Sequence, residues 1–185
     1  GELYARHYVL AAGSASLELL PPSNLRLPLM AERGYHIMLK RTQPLFDAGT
    51  CVLHDAHYKR VITEMAEGIR VTGFVEYVSC NKPARRACYD QLEHHFRRRF
   101  PDYPTQRSAE WYGHRPSTPD SLPYIDHHPA AANLICAFGH GHYGMSGAPA
   151  TARLVREMVL GRASSTILAP FRLRRFSHCQ KESAT

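Results

Sequence analysis

The chain has 185 residues, 44% hydrophobic and 21% charged, which suits a single globular core and excludes a disordered or fibrous chain. Its formal charge of +7 comes from arginines spread along the chain, with short runs at Arg97, Arg98, Arg99 and at Arg172, Arg174, Arg175. No recognition motif with interleaved aromatics accompanies them, so a solvated basic face is expected rather than a nucleic-acid partner.

Five cysteines, Cys51, Cys80, Cys88, Cys136 and Cys179, show neither CxxC pairing nor scaffold density, and the expectation is a reducing, cytoplasmic setting. No apolar run approaches the roughly 18 residues of a transmembrane segment. Peripheral contact with the inner membrane stays open.

The sequence opens at Gly1 and enters an apolar run within about a dozen residues, which reads as a start in mid-domain. His7 to Ala12 reads as a buried strand ending at Gly13, and Ser14 to Leu20 as a short helix capped by Ser14 or Ser16. Prolines from Pro21 to Pro28 mark a connecting loop. Between Gly34 and Val78 β-branched and aromatic residues dominate, with turn signals at Asp47 to Thr50, at Asp55 and at Glu67 to Gly68, the pattern of antiparallel strands. Within it Ile69, Val71, Gly73, Val75 and Tyr77 alternate with Arg70, Thr72 and Glu76, the period of two that buries one face of a sheet.

Asn81 with Pro83 predicts a helix start; Ala84, Cys88, Leu92, His95 and Phe96 form the apolar face, and the helix ends before Pro101. Trp111 to Ile125 is Pro-rich and extended, and Asn133 to Phe138 predicts a second buried strand. A helix opens at Met145 or Ser146 with Ala148, Ala152, Val155 and Val159 inward and Gly161 as its C-terminal stop. The tail after Pro170 is basic and only partly ordered by this reading. The fold class is α+β: an antiparallel sheet with covering helices beside a strand, glycine-loop, helix piece.

Gly139, Gly141 and Gly144 spell GxGxxG between that strand and that helix, the context of a dinucleotide fingerprint. A nucleotide-binding unit also needs an acid about 20 residues further on, and Gly161 to Ser165 contains none. What remains is local physics: glycines allow close backbone approach, and the helix start offers unpaired N–H groups and partial positive charge to an anionic or electron-accepting group. A loop that needs glycine only to turn is the alternative.

Two longer stretches carry more. WYGHRPSTPDSLPYID, followed by NLICAFGHGHYGMSGAPATARLV, resembles the paired carboxy-terminal signature of FAD-dependent oxidoreductases of the D-amino-acid oxidase and dehydrogenase superfamily, with glycine oxidase and sarcosine oxidase relatives. HYVLAAGSAS resembles their second flavin-contacting strand, LPLMAERGYHIML their RGY or RGE strand, and VTGFVEY their TG-x-x-E strand. The likeness runs in order from about Gly1 to Phe176.

That resemblance implies FAD as cofactor, an amino acid or amine as substrate, and oxidation of a carbon–nitrogen bond, with oxygen or a quinone as electron acceptor. It implies that Arg115 pairs with the substrate carboxylate, a task suited to a planar guanidinium. Gly139, His140, Gly141, His142, Gly144 and Met145 would lie against the flavin ring, and Ala12, Gly13 and Ser14 would touch another part of FAD. Tyr35 and Tyr112 are pocket candidates; a half-buried core tyrosine is the other reading of each.

By the same resemblance, residues 1–32 are a remnant of a flavin-binding domain, 33–110 a substrate-domain sheet with helix, 111–176 a flavin- and substrate-contacting segment, and 177–185 a tail. The amino-terminal Rossmann half would be missing, so a truncated, non-catalytic remnant is the rival function. Two positions depart from the family pattern: Ser121 replaces a turn glycine, and Asp126 stands where a glycine follows the isoleucine. The pairs His94 with His95, His127 with His128 and His140 with His142 raise a metal site, but no spacing matches a zinc pattern and none is expected.

Overall fold

The computed structural model of the chain describes residues 1–46 and 51–176. The turn expected at Asp47 to Thr50, Cys179 and the 177–185 tail lie outside the described residues. Two compact units emerge, one of Gly1–Ala31 with Arg115 onward, the other of Glu32–His114.

Unit two is built on a five-stranded sheet. Strand β1, Tyr8–Leu10, belongs to unit one, and β2 (Met30–Leu39), β3 (Val52–Asp55), β4 (Arg60–Met65) and β5 (Gly68–Tyr77) come after it in the chain. Next come helix α1 (Arg86–Arg99) and strand β6 (Arg107–Ser117). The sheet order is β3-β4-β5-β2-β6, with the β3–β4, β4–β5 and β5–β2 pairs antiparallel. Ile37, Leu39, Ile62, Ile69 and Val71 bury one face with Cys88, Leu92 and Phe96 of α1. Each such fully buried aliphatic side chain contributes roughly 1.5–3 kcal/mol.

The alternation expected through β5 holds as far as Gly73 and then fails. Ile69 and Val71 are inaccessible, yet Val75 and Tyr77 are 52% and 63% exposed. The cause is an extra residue: Arg33 faces Glu76 while Tyr35 faces Gly73, so two steps on β2 oppose three on β5. Phe74 has φ +65, the mark of a β-bulge, which reverses the in-out parity of everything after it. Phe74 therefore packs against the core, and its ring lies under the Arg60 guanidinium at 3.8 Å.

Helix α1 begins at Arg86, not at Asn81, and has no side-chain cap. The residue before a proline is biased away from helical angles, and Lys82 to Arg85 are instead held by hydrogen bonds to Arg33 and Tyr35. Its inward face includes Tyr89, which the spacing from Ala84 does not reach.

In unit one β1 pairs parallel with β8 (Ala131–Phe138), which pairs antiparallel with β7 (Tyr124–His128). The strand expected from His7 to Ala12 is present but not buried: Tyr8 and Val9 are 38% and 49% exposed at the sheet edge. The expected short helix is a 3-10 turn, Gly13–Leu19, with neither Ser14 nor Ser16 acting as cap; Gly13 turns the chain at φ +58. Helix α2 (Gly144–Val159) ends in a Schellman turn: the Gly161 N–H bonds to Met158 O and the Arg162 N–H to Glu157 O, with Gly161 at φ +66.

The inward face of α2 is rotated from the expected one. Ala148 and Ala152 are exposed, and Leu154, Val155 and Met158 meet Ile125, Ile135 and Leu168 of the short helix α3 (Ser165–Leu168). The residues after Pro170 are also more ordered than composition suggests, as far as Phe176. Leu173 is inaccessible beside Tyr124, Cys136 and Phe138, and its N–H bonds to Asp126 Oδ2 at 3.0 Å. Thus Asp126 anchors the end of the described chain.

Candidate functional site

Strand β8 delivers Phe138, 1% exposed, into the unit-one core and then releases the backbone at Gly139. Gly139 has φ +86 and Gly141 φ +54, angles that cost an L side chain about 1–2 kcal/mol. At Gly139 space enforces the same choice, whereas at Gly141 the backbone angle alone does. A Cβ on Gly139 would lie 3.0 Å from Thr118 Cγ2 and 3.4 Å from Tyr124 Cδ2, and one on Gly141 would lie 3.4 Å from Ser117 Oγ.

After this turn Gly141–Tyr143 makes a 3-10 turn and α2 begins at Gly144 with no side-chain cap. The first-turn N–H groups of a helix lack intrahelical acceptors and carry partial positive charge, so this end of α2 suits an electron-rich group. Met145 is 93% and Tyr143 68% exposed at this tip. His140 faces the other way: its Nε2 lies 2.8 Å from Thr151 Oγ1, tying the loop to the second turn of α2. Burial lowers the His140 pKa, so its ring is neutral near pH 7.

The floor of the loop is itself braced. Thr118 Oγ1 donates to Leu122 O at 2.8 Å, closing a turn in which Ser121 takes φ +62. A non-glycine residue thus adopts the left-handed conformation at the position where the resemblance calls for glycine. Burial pushes the Tyr124 phenol up to about 12, with Arg175 opposing, and its hydroxyl donates to Pro28 O.

Arg115, a partly buried residue of β6, falls in unit one with the glycine loop, as do Ala12, Gly13 and Ser14 at the end of β1. Tyr35 falls in unit two and lies in its core, 2% exposed. Its hydroxyl donates to Glu76 Oε2 at 2.5 Å and accepts from the Arg85 N–H at 3.3 Å. Burial, the largest influence, raises the Tyr35 pKa.

Beside it Arg33, wholly inaccessible, donates to His114 Nε2 at 3.0 Å and to the carbonyls of Pro83, Lys82 and Ser79, and reaches Glu76 Oε2 at 3.5 Å. Tyr112, under the Arg33 guanidinium at 4.9 Å, lines an open cleft of about 410 Å³ with Ala84, Arg86, Tyr89, Glu110 and Trp111. Sequence reasoning does not single out Arg33 and Glu76, although both letters stand in the RGY and TG-x-x-E stretches. Among the described residues no group of three or more His, Cys, Asp or Glu side chains is placed to hold a metal ion. None of their helices is long and apolar enough to cross a membrane.

A strand, a left-handed glycine turn and an uncapped helix share one compact unit with a second left-handed turn after β1. Comparison with known proteins identifies the family. The family model described as "FAD dependent oxidoreductase" (DAO) matches residues 1–158, and the chain belongs to that family.

Similar proteins include the D-amino-acid oxidase of Bradyrhizobium diazoefficiens, 36% identical over 180 residues, covering 95% of this chain and 42% of that one. The D-amino acid dehydrogenase of Allorhizobium ampelinum is 32% identical over 170 residues, 92% of this chain and 40% of that one. Glycine oxidase from Geobacillus kaustophilus superposes with a TM-score of 0.77 at 26% identity, over 92% of this chain and 46% of that one. L-Proline dehydrogenase from P. horikoshii, at 16% identity and TM-score 0.74 over 92% of this chain and 47% of that one, shares the fold. The chain spans about two fifths of the length of the curated relatives it matches.

Proposed function

We propose that this chain supplies the substrate-anchoring and flavin-ring-contacting parts of an oxidoreductase that oxidises the carbon–nitrogen bond of an amino acid or secondary amine. The observation that carries the reading is the uncapped start of α2 behind two left-handed glycines, Gly139 and Gly141, in a chain of the DAO family. The residues fit a flat, electron-accepting ring. Both glycines take left-handed angles, and a Cβ on Gly139 would crowd Thr118 Cγ2 at 3.0 Å, so backbone rather than side chain forms the contact surface. FAD, when bound, would supply the redox chemistry, accepting hydride from the carbon that carries the nitrogen and leaving an imine for water to hydrolyse.

In this reading Gly139, His140, Gly141, His142, Gly144 and Met145 hold the ring, and Ala12, Gly13 and Ser14 make a second contact. The α2 amides stabilise developing negative charge, and a neutral His140 holds the loop to Thr151 without adding a positive charge. Arg115 offers two parallel N–H groups to the substrate carboxylate, fixing its orientation. Tyr35 acts from the core as a positioning residue through Glu76 and the Arg85 amide.

We assign flavin contact to 1–32, a substrate-domain sheet with helix to 33–110 and contact with both flavin and substrate to 111–176, in a cytoplasmic protein whose acceptor is oxygen or a quinone. The names of the relatives favour a D-amino acid or a glycine derivative. The direct test is discrimination at the carboxylate. Active protein containing this chain should oxidise an amino acid at least about tenfold more efficiently than the corresponding amino-acid amide, the loss expected for one charge-assisted contact. Equal efficiency would remove carboxylate recognition from the reading.

A further inference from the structure

We propose that Arg175 is a positioning residue for the Gly139–Gly144 loop, acting through the turn at Thr118 to Leu122 and through the Tyr124 ring. The inference rests on the reading of that loop as the flavin contact.

The loop has little tolerance beneath it. A Cβ on Gly139 would meet Thr118 Cγ2 at 3.0 Å and Leu29 Cδ1 and Tyr124 Cδ2 at 3.4 Å, so these three side chains set the height of the loop floor, and Thr118 and Tyr124 are the two that Arg175 supports. Thr118 is fixed by its bond to Leu122 O. Arg175 reaches both supports with one side chain. Its Nη2 donates to the same Leu122 O at 2.6 Å, its Nε and Nη2 donate to Asp120 Oδ2 and Oδ1 at 2.7 and 3.0 Å, and its guanidinium carbon sits 4.1 Å from the Tyr124 ring centroid.

The arrangement is built rather than incidental. The Arg175 side chain is 11% exposed, and Leu173, two residues earlier, is wholly inaccessible with its N–H on Asp126. A lysine keeps the charge but cannot grip a carboxylate, bond a carbonyl and stack on a ring at once. If Arg175 served only to fasten the end of the chain, its loss would loosen unit one evenly. A positioning role predicts a local effect on the loop.

Hydrogen exchange on the full chain separates these outcomes, with Arg175→Lys as the main variant and Asp120→Asn as a second that leaves the guanidinium in place. Exchange across Gly139–Tyr143, including the Tyr143 N–H that bonds to His140 O, should accelerate about tenfold in both, as loss of a charge-assisted bond implies. Exchange at Ile135 to Ala137 of β8 should stay unchanged. The FAD dissociation constant should rise by a similar factor. Unchanged loop exchange in both variants, or equal acceleration in β8, overturns the proposal. Failure of the parent chain to bind FAD counts against the flavin reading alone, and the loop exchange still decides the role of Arg175.

Discussion

The hydroxyl of Tyr35 and the carboxylate of Glu76 meet at 2.5 Å because β5 carries one more residue than β2 between their facing positions. Without the bulge at Phe74, strict alternation would present Val75 on the core face, and Arg33 and Tyr35 would lack their carboxylate. Replacing Tyr35 by Phe removes the donor to Glu76 and the acceptor for the Arg85 amide. The expected cost is about 1–3 kcal/mol, read as a lowered denaturant midpoint at unchanged slope; an unchanged midpoint would mean that the pair contributes nothing.

Arg33 sits deeper in the same cluster. Arg33→Met leaves the carbonyls of Pro83 and Lys82 without their buried donor and takes one of its cationic partners from the Glu76 carboxylate, and should destabilise by about 3–5 kcal/mol. Chemical denaturation of the two proteins measures this directly. A loss below about 1 kcal/mol would show that water replaces the guanidinium at little cost.

Gly139→Ala combines a φ of +86 with a contact to Thr118 Cγ2 at 3.0 Å. A loss of about 1–3 kcal/mol is expected from backbone strain and crowding together. The same substitution at Gly147, where a Cβ would meet nothing nearer than His140 Cδ2 at 3.8 Å, should be neutral or stabilising in the helix. Equal effects at both sites would contradict the strained turn.

Acid should weaken the fold through two carboxylates. Burial by itself would raise Asp120, but hydrogen bonds from Arg175 and the Leu122 N–H outweigh it and hold the carboxyl below its ordinary range. Burial would likewise raise Glu93, but hydrogen bonds and charge from Arg97 and Arg107 outweigh it and hold that carboxyl below its ordinary range. Each group binds fewer protons folded than unfolded, so its stabilisation is complete above the unfolded value near about 4 and is lost as pH falls through the folded one. The melting temperature should drop between about pH 5 and pH 2, and Asp120→Asn should flatten that drop. A parallel profile in the variant would exclude Asp120 as a source.

Much of the fold is legible in the chain itself. The β period through Val71, the helical face of Cys88, Leu92 and Phe96, and the stop at Gly161 arise from side-chain chemistry acting over a few residues. The failures share one physical origin, contacts made across long separations. The bulge at Phe74 answers to Arg60 and to the register with β2, and the delayed start of α1 to Arg33. Asp126, a departure from the family pattern in the sequence, accepts a hydrogen bond from the Leu173 amide 47 residues away. The glycine loop is visible as a pattern, but its floor of Thr118, Tyr124 and Arg175 is not, because no local period links them.

Light absorption tests flavin binding and amine oxidation most directly. Active protein containing this chain is purified, titrated with FAD and mixed anaerobically with a D-amino acid or a glycine derivative. The expected result is a yellow complex whose flavin absorbance bleaches on mixing, with Arg115→Lys needing roughly tenfold or more substrate for half-bleaching. A colourless protein that FAD does not reconstitute, or a bound flavin that no such amine reduces, would contradict it and favour the non-catalytic remnant.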